Sequence, residues 1–471
     1  MMEQRPVRLG VKIFAIAAVL VCLSFVLADY FHRSSGLPEL NLMPGDRILI
    51  LSPHPDDETL GCAGIIQGAV AKGLPVHVVF LTYGDNYSWA SEAYPNSPTL
   101  QAKGLENVAS IRHDEAIKAA EILGLSAGDM TFLGYPDFGT LPIWMSHWAE
   151  ERPLEITDAQ TKTISFENAF RPGVPCKGES ILKDLEGIMR DFKPTKIFCA
   201  SPRGGHSDHA AFYLFATVAL WDLAKEIKAD VYSYLIHFQN WPNPAGYCPD
   251  ESFLLPGYLK RSRQWKTFDL TDEQRQKKEQ AIRAYASQCD TDSDFLLSFV
   301  KRNEVFCVWP KLSLPLDEPP VAFSHFGRKA ELLDKASLLP YEEQEKFTGI
   351  ERRHAQIKGD TLVFFMKLLR PLDSDDEFEL FLFGYRPDVP FGDMPKVAVH
   401  IKKSGWNVLD QNKVLTAEGI RVIYLPKEIV VEMPLSRLHD PAVILTSIFL
   451  SRSDVAVDWT PWRILEVRNL S

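Results

Sequence analysis

Short apolar runs alternate with segments of helical apolar periodicity between residues 46 and 238. Apolar runs bounded by turn residues are typical of buried strands, and they occupy residues 47–51, 76–82, 130–133, 196–199 and 231–236. Apolar positions recur at helical spacing over residues 58–72, 107–123, 179–191 and 208–226. Thr271 and Gln274 form a capping box, which predicts that another helix begins there. Strand–helix alternation of this kind predicts a sheet covered by helices on both faces.

The pattern changes after residue 359. Short alternating segments separated by Pro, Gly and Asp lie at residues 362–368, 378–383, 397–402, 429–433, 443–450 and 459–467. Such segments are typical of an all-β sandwich. We therefore expect an α/β domain with a Rossmann-like, mostly parallel sheet at residues 44–308, a proline-rich connecting region at 309–358 and a β-sandwich domain at 359–471.

A basic flank precedes an apolar run at the start of the chain. Arg5, Arg8 and Lys12 come before the apolar residues 13–28. This run is shorter than the roughly 20 residues that span a bilayer, so residues 1–35 fit either a marginal signal anchor or a cleaved signal peptide. In both cases the basic flank stays in the cytoplasm. The pattern predicts a membrane-anchored or secreted protein whose folded part lies outside the cytoplasm.

Composition excludes several classes of protein. Of 471 residues, 46% are hydrophobic and 24% charged, which excludes collagen-like and wholly disordered chains. The formal charge of −11 argues against nucleic-acid binding, which needs a clustered basic surface. The seven cysteines show no CxxC spacing, so a thiolate zinc site is disfavoured. Cys62 and Cys199 lie in apolar stretches and are expected to be buried free thiols.

Two polar clusters each follow a predicted strand. Residues 52–58 (SPHPDDE) follow the first strand, and residues 201–209 (SPRGGHSDH) follow the strand at 196–199. Ligands of open α/β sheets bind at the carboxyl ends of the strands, so the two clusters are expected to meet. Two His and one Asp with an open fourth position form a catalytic zinc shell. A carboxylate outside that shell can act as general base, and another imidazole can stabilise an oxyanion. Residue types alone do not say which Asp is ligand and which is base.

The two clusters resemble the motifs of the LmbE/PIG-L family of zinc-dependent N-acetylglucosaminyl de-N-acetylases. The resemblance covers about residues 46–290 and includes the segments 112–115, 133–137 and 285–288. It implies Zn²⁺ as cofactor, with the metal ligands His54, Asp57 and His209. It also implies the following roles for other residues: Asp56 as general base, His206 as the oxyanion-stabilising histidine, Asp208 as the carboxylate that orients a histidine, Arg112 as the arginine that grips the substrate, and Asp137 as a residue near the sugar.

Several assignments have structural alternatives. Arg112 also has the spacing for an ion pair with Glu115, and Asp137 fits a turn residue after Pro136. His237 ends a strand and is either a substrate contact or a structural histidine. Some relatives carry a tyrosine at the position of Gly204, where it polarises the scissile carbonyl. The insertion 139–178 contains Trp144, His147, Trp148 and Phe166 and is expected either to cover the pocket as a lid or to cover the edge of the sheet.

These features predict a zinc-dependent hydrolase that uses metal-activated water to remove an N-acetyl or other acyl group from an amino sugar or glycoconjugate. The enzymatic alternative is a zinc amidase acting on a bulkier amide. A non-catalytic glycan-binding protein is the second class, which the presence of Asp56 disfavours because binding does not require a base. The β domain, with Trp406, Trp459 and Trp462, resembles the carbohydrate-binding sandwiches of extracellular enzymes, and aromatic core residues are the alternative reading of these tryptophans.

Overall fold

The structure is a computed structural model of the chain. It describes residues 36–85, 105–148, 152–155, 162–255, 259, 265–308, 311–323, 328–337, 339–453 and 455–467. The predicted signal anchor or signal peptide at residues 1–35 lies outside these ranges. Among the described residues, no helix combines the length and the apolar character that crossing a membrane requires.

A seven-stranded sheet forms the centre of the N-terminal half, in the order β3-β2-β1-β4-β5-β7-β6. Its strands are β1 (Ile48–Ser52), β2 (Val76–Phe80), β3 (Met130–Phe132), β4 (Lys196–Ala200), β5 (Asp230–Tyr234), β6 (Trp265–Asp269) and β7 (Asn303–Cys307). The first five strands pair in parallel, whereas β7 pairs antiparallel with both β5 and β6. The prediction of a mixed α/β domain with a largely parallel sheet is confirmed.

Seven helices accompany this sheet in the described chain: α1 (Asp57–Ala71), α2 (Leu105–Leu123), α3 (Thr140–Ser146), α4 (Gly178–Phe192), α5 (Ser207–Asp222), α6 (Asp272–Ala284) and α7 (Ala286–Leu297). Four of them match the predicted helical segments at 58–72, 107–123, 179–191 and 208–226. The capping box of Thr271 and Gln274 opens α6 with both of its reciprocal hydrogen bonds.

Helix α1 lies unusually close to the sheet because glycines occupy the contact. A Cβ atom added to Gly61 would lie 2.5 Å from Cδ2 of Tyr234, and one added to Gly64 would lie 2.8 Å from Cδ1 of Leu270. Only glycine permits such an approach of backbone to ring. The first turn of α1 is thereby held against the ends of β1 and β5.

The C-terminal half is rich in strands that form two sheets. One has the order β16-β17-β11-β10-β9, and the other the order β15-β14-β13-β12-β18-β20-β8, with β19 paired to β18. The strands are β8 (Leu312–Ser313), β9 (Val321–Ala322), β10 (Ile350–Lys358), β11 (Thr361–Leu368), β12 (Asp376–Tyr385), β13 (Lys396–Lys402), β14 (Gly405–Asp410), β15 (Lys413–Val414), β16 (Arg421–Leu425), β17 (Glu428–Pro434), β18 (Val443–Arg452), β19 (Val455–Trp459) and β20 (Arg463–Glu466). One apolar core contains residues of both sheets, including Phe364 and Leu380.

The predicted connecting region 309–358 is not a plain connection. It contributes β8, β9 and β10 to the two C-terminal sheets and contains the helices α8 (Arg328–Ser337) and α9 (Tyr341–Gln344). Pro315, Pro319 and Pro320 lie between the two-residue strands β8 and β9, and such prolines interrupt the alternating pattern by which a strand is recognised in the sequence.

The two tryptophans of the insertion 139–178 pack between the halves of the protein. The ring centroid of Trp144 lies 5.1 Å from that of Phe215 on α5, 5.3 Å from that of Phe391 and 5.9 Å from that of Trp462. Trp148 is also buried and contacts Phe391. These indoles join the α/β domain to the strand-rich region, and they neither cover the pocket nor merely shield the edge of the sheet.

Candidate active site

The loop after β1 presents the first polar cluster in a strained conformation. Asp56 has φ 130°, a region that residues other than glycine rarely adopt. Glu58 supports this loop, since its carboxylate accepts hydrogen bonds from Oγ of Ser52 at 3.2 Å, the backbone N–H of Asp56 at 3.2 Å and the hydroxyl of Tyr285 at 2.5 Å. Glu58 received no role in the sequence analysis, although it belongs to the motif.

Three side chains of the two clusters meet at the ends of β1 and β4. Oδ2 of Asp57 lies 3.1 Å from Nδ1 of His54 and 3.1 Å from Nε2 of His209. The ring centroids of the two histidines are 5.4 Å apart. All three side chains are buried. The two clusters, about 150 residues apart in sequence, therefore converge as expected from their strand-end positions.

Oδ1 of Asp57 is buried without a hydrogen bond, and Nε2 of His209 has no hydrogen bond beyond its 3.1 Å ion-pair contact with Oδ2 of Asp57. Buried polar atoms in native proteins almost always have hydrogen-bond partners, so these two atoms need an explanation. A cation shared by His54, Asp57 and His209 would satisfy both atoms. The donor set of two imidazoles and one carboxylate also fits a divalent transition metal.

Asp208 and Asp137 lie on the other side of the His54 ring. Nε2 of His54 is 3.3 Å from Oδ2 of Asp208 and 3.1 Å from Oδ1 of Asp137. Asp208 is fully buried and accepts hydrogen bonds from the N–H of Phe138 at 2.7 Å and from the hydroxyl of Thr140. When Nε2 of His54 donates to these carboxylates, Nδ1 is left as the lone-pair atom that faces Asp57.

Around the cavity, three overlapping groups of described residues have ligand atoms close enough to share a cation: His54, His206 and His209; His54, Asp137, His206 and Asp208; and Asp57, His209 and His237. No single group contains all three predicted ligands His54, Asp57 and His209. The groups differ in how many hydrogen bonds their atoms already have. Asp208 already receives hydrogen bonds from the protein, whereas Asp57 and His209 each keep an orphaned atom. Asp57 and His209, unlike Asp208, therefore keep atoms that a cation would satisfy.

Negative charge dominates the electrostatics around His54. Burial lowers the pKa of this histidine, but Asp137, Asp208 and Asp57 outweigh burial and hold it well above its ordinary value. Burial likewise raises the pKa of Asp57, yet His209 and His54 hold it well below its ordinary range. The cluster as a whole favours a bound positive charge.

Arg112 holds the strained loop and does not pair with Glu115. Its Nη2 donates to the carbonyl of Pro55 at 2.8 Å and to Oδ2 of Asp56 at 3.3 Å, and its Nη1 donates to the carbonyl of Gly84 at 2.9 Å. Glu115 instead accepts from the N–H and hydroxyl of Ser287. Burial raises the pKa of Asp56 to about 8, although Arg112 opposes this shift. Arg112 thus lies beside the predicted base, where it is able to contact a substrate.

These groups line a cavity of about 490 Å³. Its wall contains the predicted residues His54, Asp56, Arg112, Asp137, His206 and His237. Asp57, Asp208 and His209 lie behind this wall. The ring of His206 is centred 4.4 Å from that of His54 and 5.6 Å from that of His237. Burial lowers the pKa of His206 well below its ordinary value, and positive charge on His54 and His209 adds to the effect.

Part of the cavity wall was not predicted from the sequence. Gln288, Thr291 and Asp292 of α7 line the cavity. Gln288 lies in the segment 285–288 but received no role, and no motif marks Thr291 or Asp292. Asp85, five residues after the end of β2, has a buried carboxylate oxygen without a hydrogen-bond partner, and its position shortly after a predicted strand is a signal that was available. Gly204 has no room for the tyrosine of some relatives without local adjustment, because an added Cβ would lie 3.3 Å from the carbonyl oxygen of His237.

Comparison with known proteins identifies the family of one domain of the chain. Residues 49–220 match the PIG-L family, described as GlcNAc-PI de-N-acetylase, and this part of the chain is a domain of the LmbE/PIG-L family. The family is metal-dependent. The chain is 27% identical over 218 residues to a 1D-myo-inositol 2-acetamido-2-deoxy-alpha-D-glucopyranoside deacetylase of Mycobacterium sp. (strain KMS), covering 45% of this chain and 60% of the relative. The predicted resemblance is confirmed for this domain.

Other relatives are also deacetylases. A probable N-acetyl-alpha-D-glucosaminyl L-malate deacetylase 2 of Bacillus anthracis is 34% identical over 159 residues, which cover 31% of this chain and 63% of the relative. An N,N'-diacetylchitobiose deacetylase from Pyrococcus horikoshii aligns structurally with a TM-score of 0.36 and 21% identity, over 56% of this chain and 84% of that one. The chain spans less than two thirds of the length of the Mycobacterium and Bacillus relatives, at 60% and 63%.

The hydroxyl of Thr140 provides a test of the arrangement around Asp208. We expect Thr140→Val, which removes the O–H donor without changing the shape of the side chain, to weaken metal binding by 10- to 100-fold, because the carboxylate that orients His54 loses a partner. Competition with a chromogenic chelator measures this affinity. Thr217→Val on α5 is the matched control, since its hydroxyl donates to the backbone of its own helix. Equal affinities in the two variants would contradict the positioning role of Thr140.

Proposed function

We propose that the protein is a Zn²⁺-dependent hydrolase that removes an acetyl or other acyl group from the nitrogen of an amino sugar or glycoconjugate. The observation that carries this proposal is the contact of Asp57 with both His54 and His209 at 3.1 Å, beside a cavity that Asp56 also lines. The names of the relatives support the substrate class, because they are deacetylases of acetylated amino-sugar compounds.

His54, Asp57 and His209 would hold the metal. Three protein ligands of nitrogen and oxygen are typical of catalytic zinc, which supports zinc over calcium or magnesium. When bound, such a cation acidifies water and polarises a carbonyl oxygen. The rest of the chemistry depends on side chains of the chain itself.

Asp56 is the proposed general base. Its carboxylate lines the cavity beside the metal ligands and contacts Arg112, which fixes its position. It takes a proton from the attacking water as the hydroxyl oxygen forms a bond with the acyl carbon. The C–N bond then breaks, the amine nitrogen takes up this proton, and the acyl group leaves as a carboxylic acid, whose remaining proton passes to the amine or to solvent. Each hydrolysis thus consumes one water and leaves Asp56 ionised again.

The other residues around the cavity bind and orient the substrate. His206 faces the cavity and is placed to donate a hydrogen bond to the oxygen that becomes negative during attack. Arg112, Asp137 and His237 line the same cavity and are the proposed contacts to the sugar. Asp208 keeps its role behind His54, where it holds the ring.

We also propose that the catalytic domain lies outside the cytoplasm. The support is the basic flank of Arg5, Arg8 and Lys12 before the apolar residues 13–28, which orients a signal anchor or signal peptide. Sugar-containing polymers of cell envelopes and extracellular matrices are accessible to a domain in this position. The orientation is tested by fusing a reporter to the C-terminus of the protein, where the reporter is one that becomes active only after export from the cytoplasm. An inactive reporter would contradict the proposed orientation.

Metal content and acetate release test the proposed function together. We expect the full-length protein to bind about one zinc per chain, to release acetate from N-acetylglucosaminides, and to lose this activity on chelation and regain it with zinc. His209→Ala is expected to lose both zinc and activity. His113→Ala is the matched control, because this histidine contacts Asp114 and the ring of Phe132 and does not line the cavity. Zinc binding without hydrolysis of any acylated amino sugar would leave a glycan-binding protein, and activity that persists without metal would exclude the mechanism.

A further inference from the structure

A second cavity of about 240 Å³ opens between the α/β domain and the strand-rich region. It shares Gly205 and His206 with the wall of the catalytic cavity. His206 therefore stands at the junction of the two spaces. We refer to this second cavity as the interdomain groove.

The interdomain groove is lined mainly by apolar side chains from both halves of the protein. Its larger members are Leu141, Met145, Phe381, Phe449, Trp459 and Trp462. Among the described residues that line it, none carries a carboxylate, ammonium or guanidinium group. Two of its hydroxyls are already used within the protein, because Ser447 donates to the carbonyl of Thr460 and Thr460 accepts from the N–H of Ile448. The groove is suited to hydrocarbon and poorly suited to the many hydroxyls of a sugar.

The catalytic cavity contains charged and polar groups that the groove lacks. Asp56, Arg112, Gln288, Thr291 and Asp292 supply donors and acceptors there, beside apolar residues such as Leu60 and Phe295. These groups suit the hydroxyls of an amino sugar, whereas the wall at His206 leads into apolar surroundings. The scissile carbonyl, which His206 contacts in the proposed mechanism, would thus lie between a polar space and an apolar one.

We propose that the interdomain groove binds the hydrocarbon chain of an N-acyl group longer than acetyl. This inference rests on the proposed function and specifies its substrate class: an amino sugar carrying a fatty acyl amide, with the sugar in the catalytic cavity and the chain between the domains. Continuity of the two spaces at Gly205 and His206 is the argument for a single ligand occupying both. The C-terminal region then has a direct part in substrate selection, because Phe381, Phe449, Trp459 and Trp462 belong to it.

The first test compares substrates whose N-acyl groups differ in length. Each methylene group removed from water favours binding by about fourfold, and octanoyl has six more than acetyl. With part of the chain left exposed at the rim, we expect kcat/KM of the full-length zinc enzyme to be at least about 10-fold higher for an N-octanoyl than for an N-acetyl glucosaminide. Equal or lower kcat/KM for the octanoyl substrate would overturn the proposal.

Neighbouring residues of β19 supply a matched pair of variants. Ala456 is exposed and lines the groove, whereas Val455 points to the opposite face of the strand and does not line it. Ala456→Trp fills the groove and is expected to bring the octanoyl-to-acetyl ratio of kcat/KM close to 1. Val455→Trp is expected to keep the wild-type ratio. If Ala456→Trp left the octanoyl-to-acetyl ratio of kcat/KM unchanged, this would contradict the assignment of the acyl chain to the interdomain groove.

A binding measurement separates this proposal from the proposed function. Trp459 and Trp462 line the groove, so titration of the metal-stripped protein with the N-octanoyl glucosaminide is expected to change tryptophan fluorescence, and the N-acetyl compound is not. Binding without hydrolysis after zinc is restored would refute the deacylase and leave the groove assignment intact. Acetate release without binding of the N-octanoyl compound would refute the groove assignment and leave the deacylase intact.

Discussion

Asp56→Asn is expected to lower kcat for hydrolysis of the acylated amino sugar by 10²- to 10⁴-fold while the protein keeps its bound zinc. The amide of asparagine has the shape of the carboxylate but does not accept a proton from water. Asp56 itself is not one of the three proposed ligands, and its nearest charged partner is Arg112 at 3.3 Å. Turnover measured by acetate or octanoate release, together with zinc content by mass spectrometry, checks both parts of this expectation.

The control for this variant is Asp114→Asn. Asp114 lies on α2 near Arg112 in sequence, but its side chain is exposed and contacts only His113. This control separates loss of a catalytic carboxylate from loss of any negative charge. If Asp56→Asn kept most of its activity, another group would have to be the base. If it lost zinc as well, Asp56 would have to be counted among the metal ligands.

The convergence of the two motifs was predictable because it follows from topology. In a parallel sheet, the carboxyl ends of neighbouring strands meet at one edge, and β1 and β4 are neighbours in the structure. The convergence of His54, Asp57 and His209 can therefore be predicted without any knowledge of side-chain packing. The parallel strands could be recognised in the sequence because strands buried on both faces appear as continuous apolar runs.

The antiparallel strands β6 and β7 could not be recognised in the sequence by a continuous apolar run. Asn303 and Glu304 begin β7 and are both buried, yet polar residues at these positions break the apolar run by which a strand is recognised. Their burial depends on partners far away in sequence, such as Thr267 for Asn303. The support of the loop by Tyr285 through Glu58 and the packing of Trp144 between the domains likewise depend on tertiary contacts that no local pattern reports.

A buried ion pair fixes helix α1, which carries Asp57 in its first turn. Nζ of Lys278 donates to Oε1 of Glu304 at 2.8 Å and to the carbonyl of Leu60 at 2.8 Å. Glu304 also accepts from the N–H of Gly64 at 2.8 Å. Both side chains are almost fully buried, at 0% and 1% exposure. The pair thus links α1 to α6 and β7 through charges that have no access to water.

Lys278→Met is expected to lower the free energy of unfolding of the α/β domain by about 3–5 kcal/mol, because Glu304 is left as a buried and unpaired carboxylate. Lys277→Met is the control on the same helix: this lysine is half exposed and pairs with an exposed Glu273, so its loss costs at most about 1 kcal/mol. Urea denaturation of the two variants measures the difference. Equal stability would mean that the buried pair contributes no more than a surface one.

The loss in free energy of unfolding that Lys278→Met causes is expected to depend on pH. Burial raises the pKa of Glu304, and Lys278 opposes this rise, so removing the lysine raises the pKa further. A carboxyl whose pKa is higher in the folded than in the unfolded state favours folding at low pH and disfavours it as the pH rises through the folded pKa. The stability difference between Lys278→Met and wild type should therefore shrink as the pH falls from neutral, because protonation of Glu304 removes the unpaired charge. A difference that stayed constant over this range would show that lost packing, and not the orphaned carboxylate, is the source of the instability.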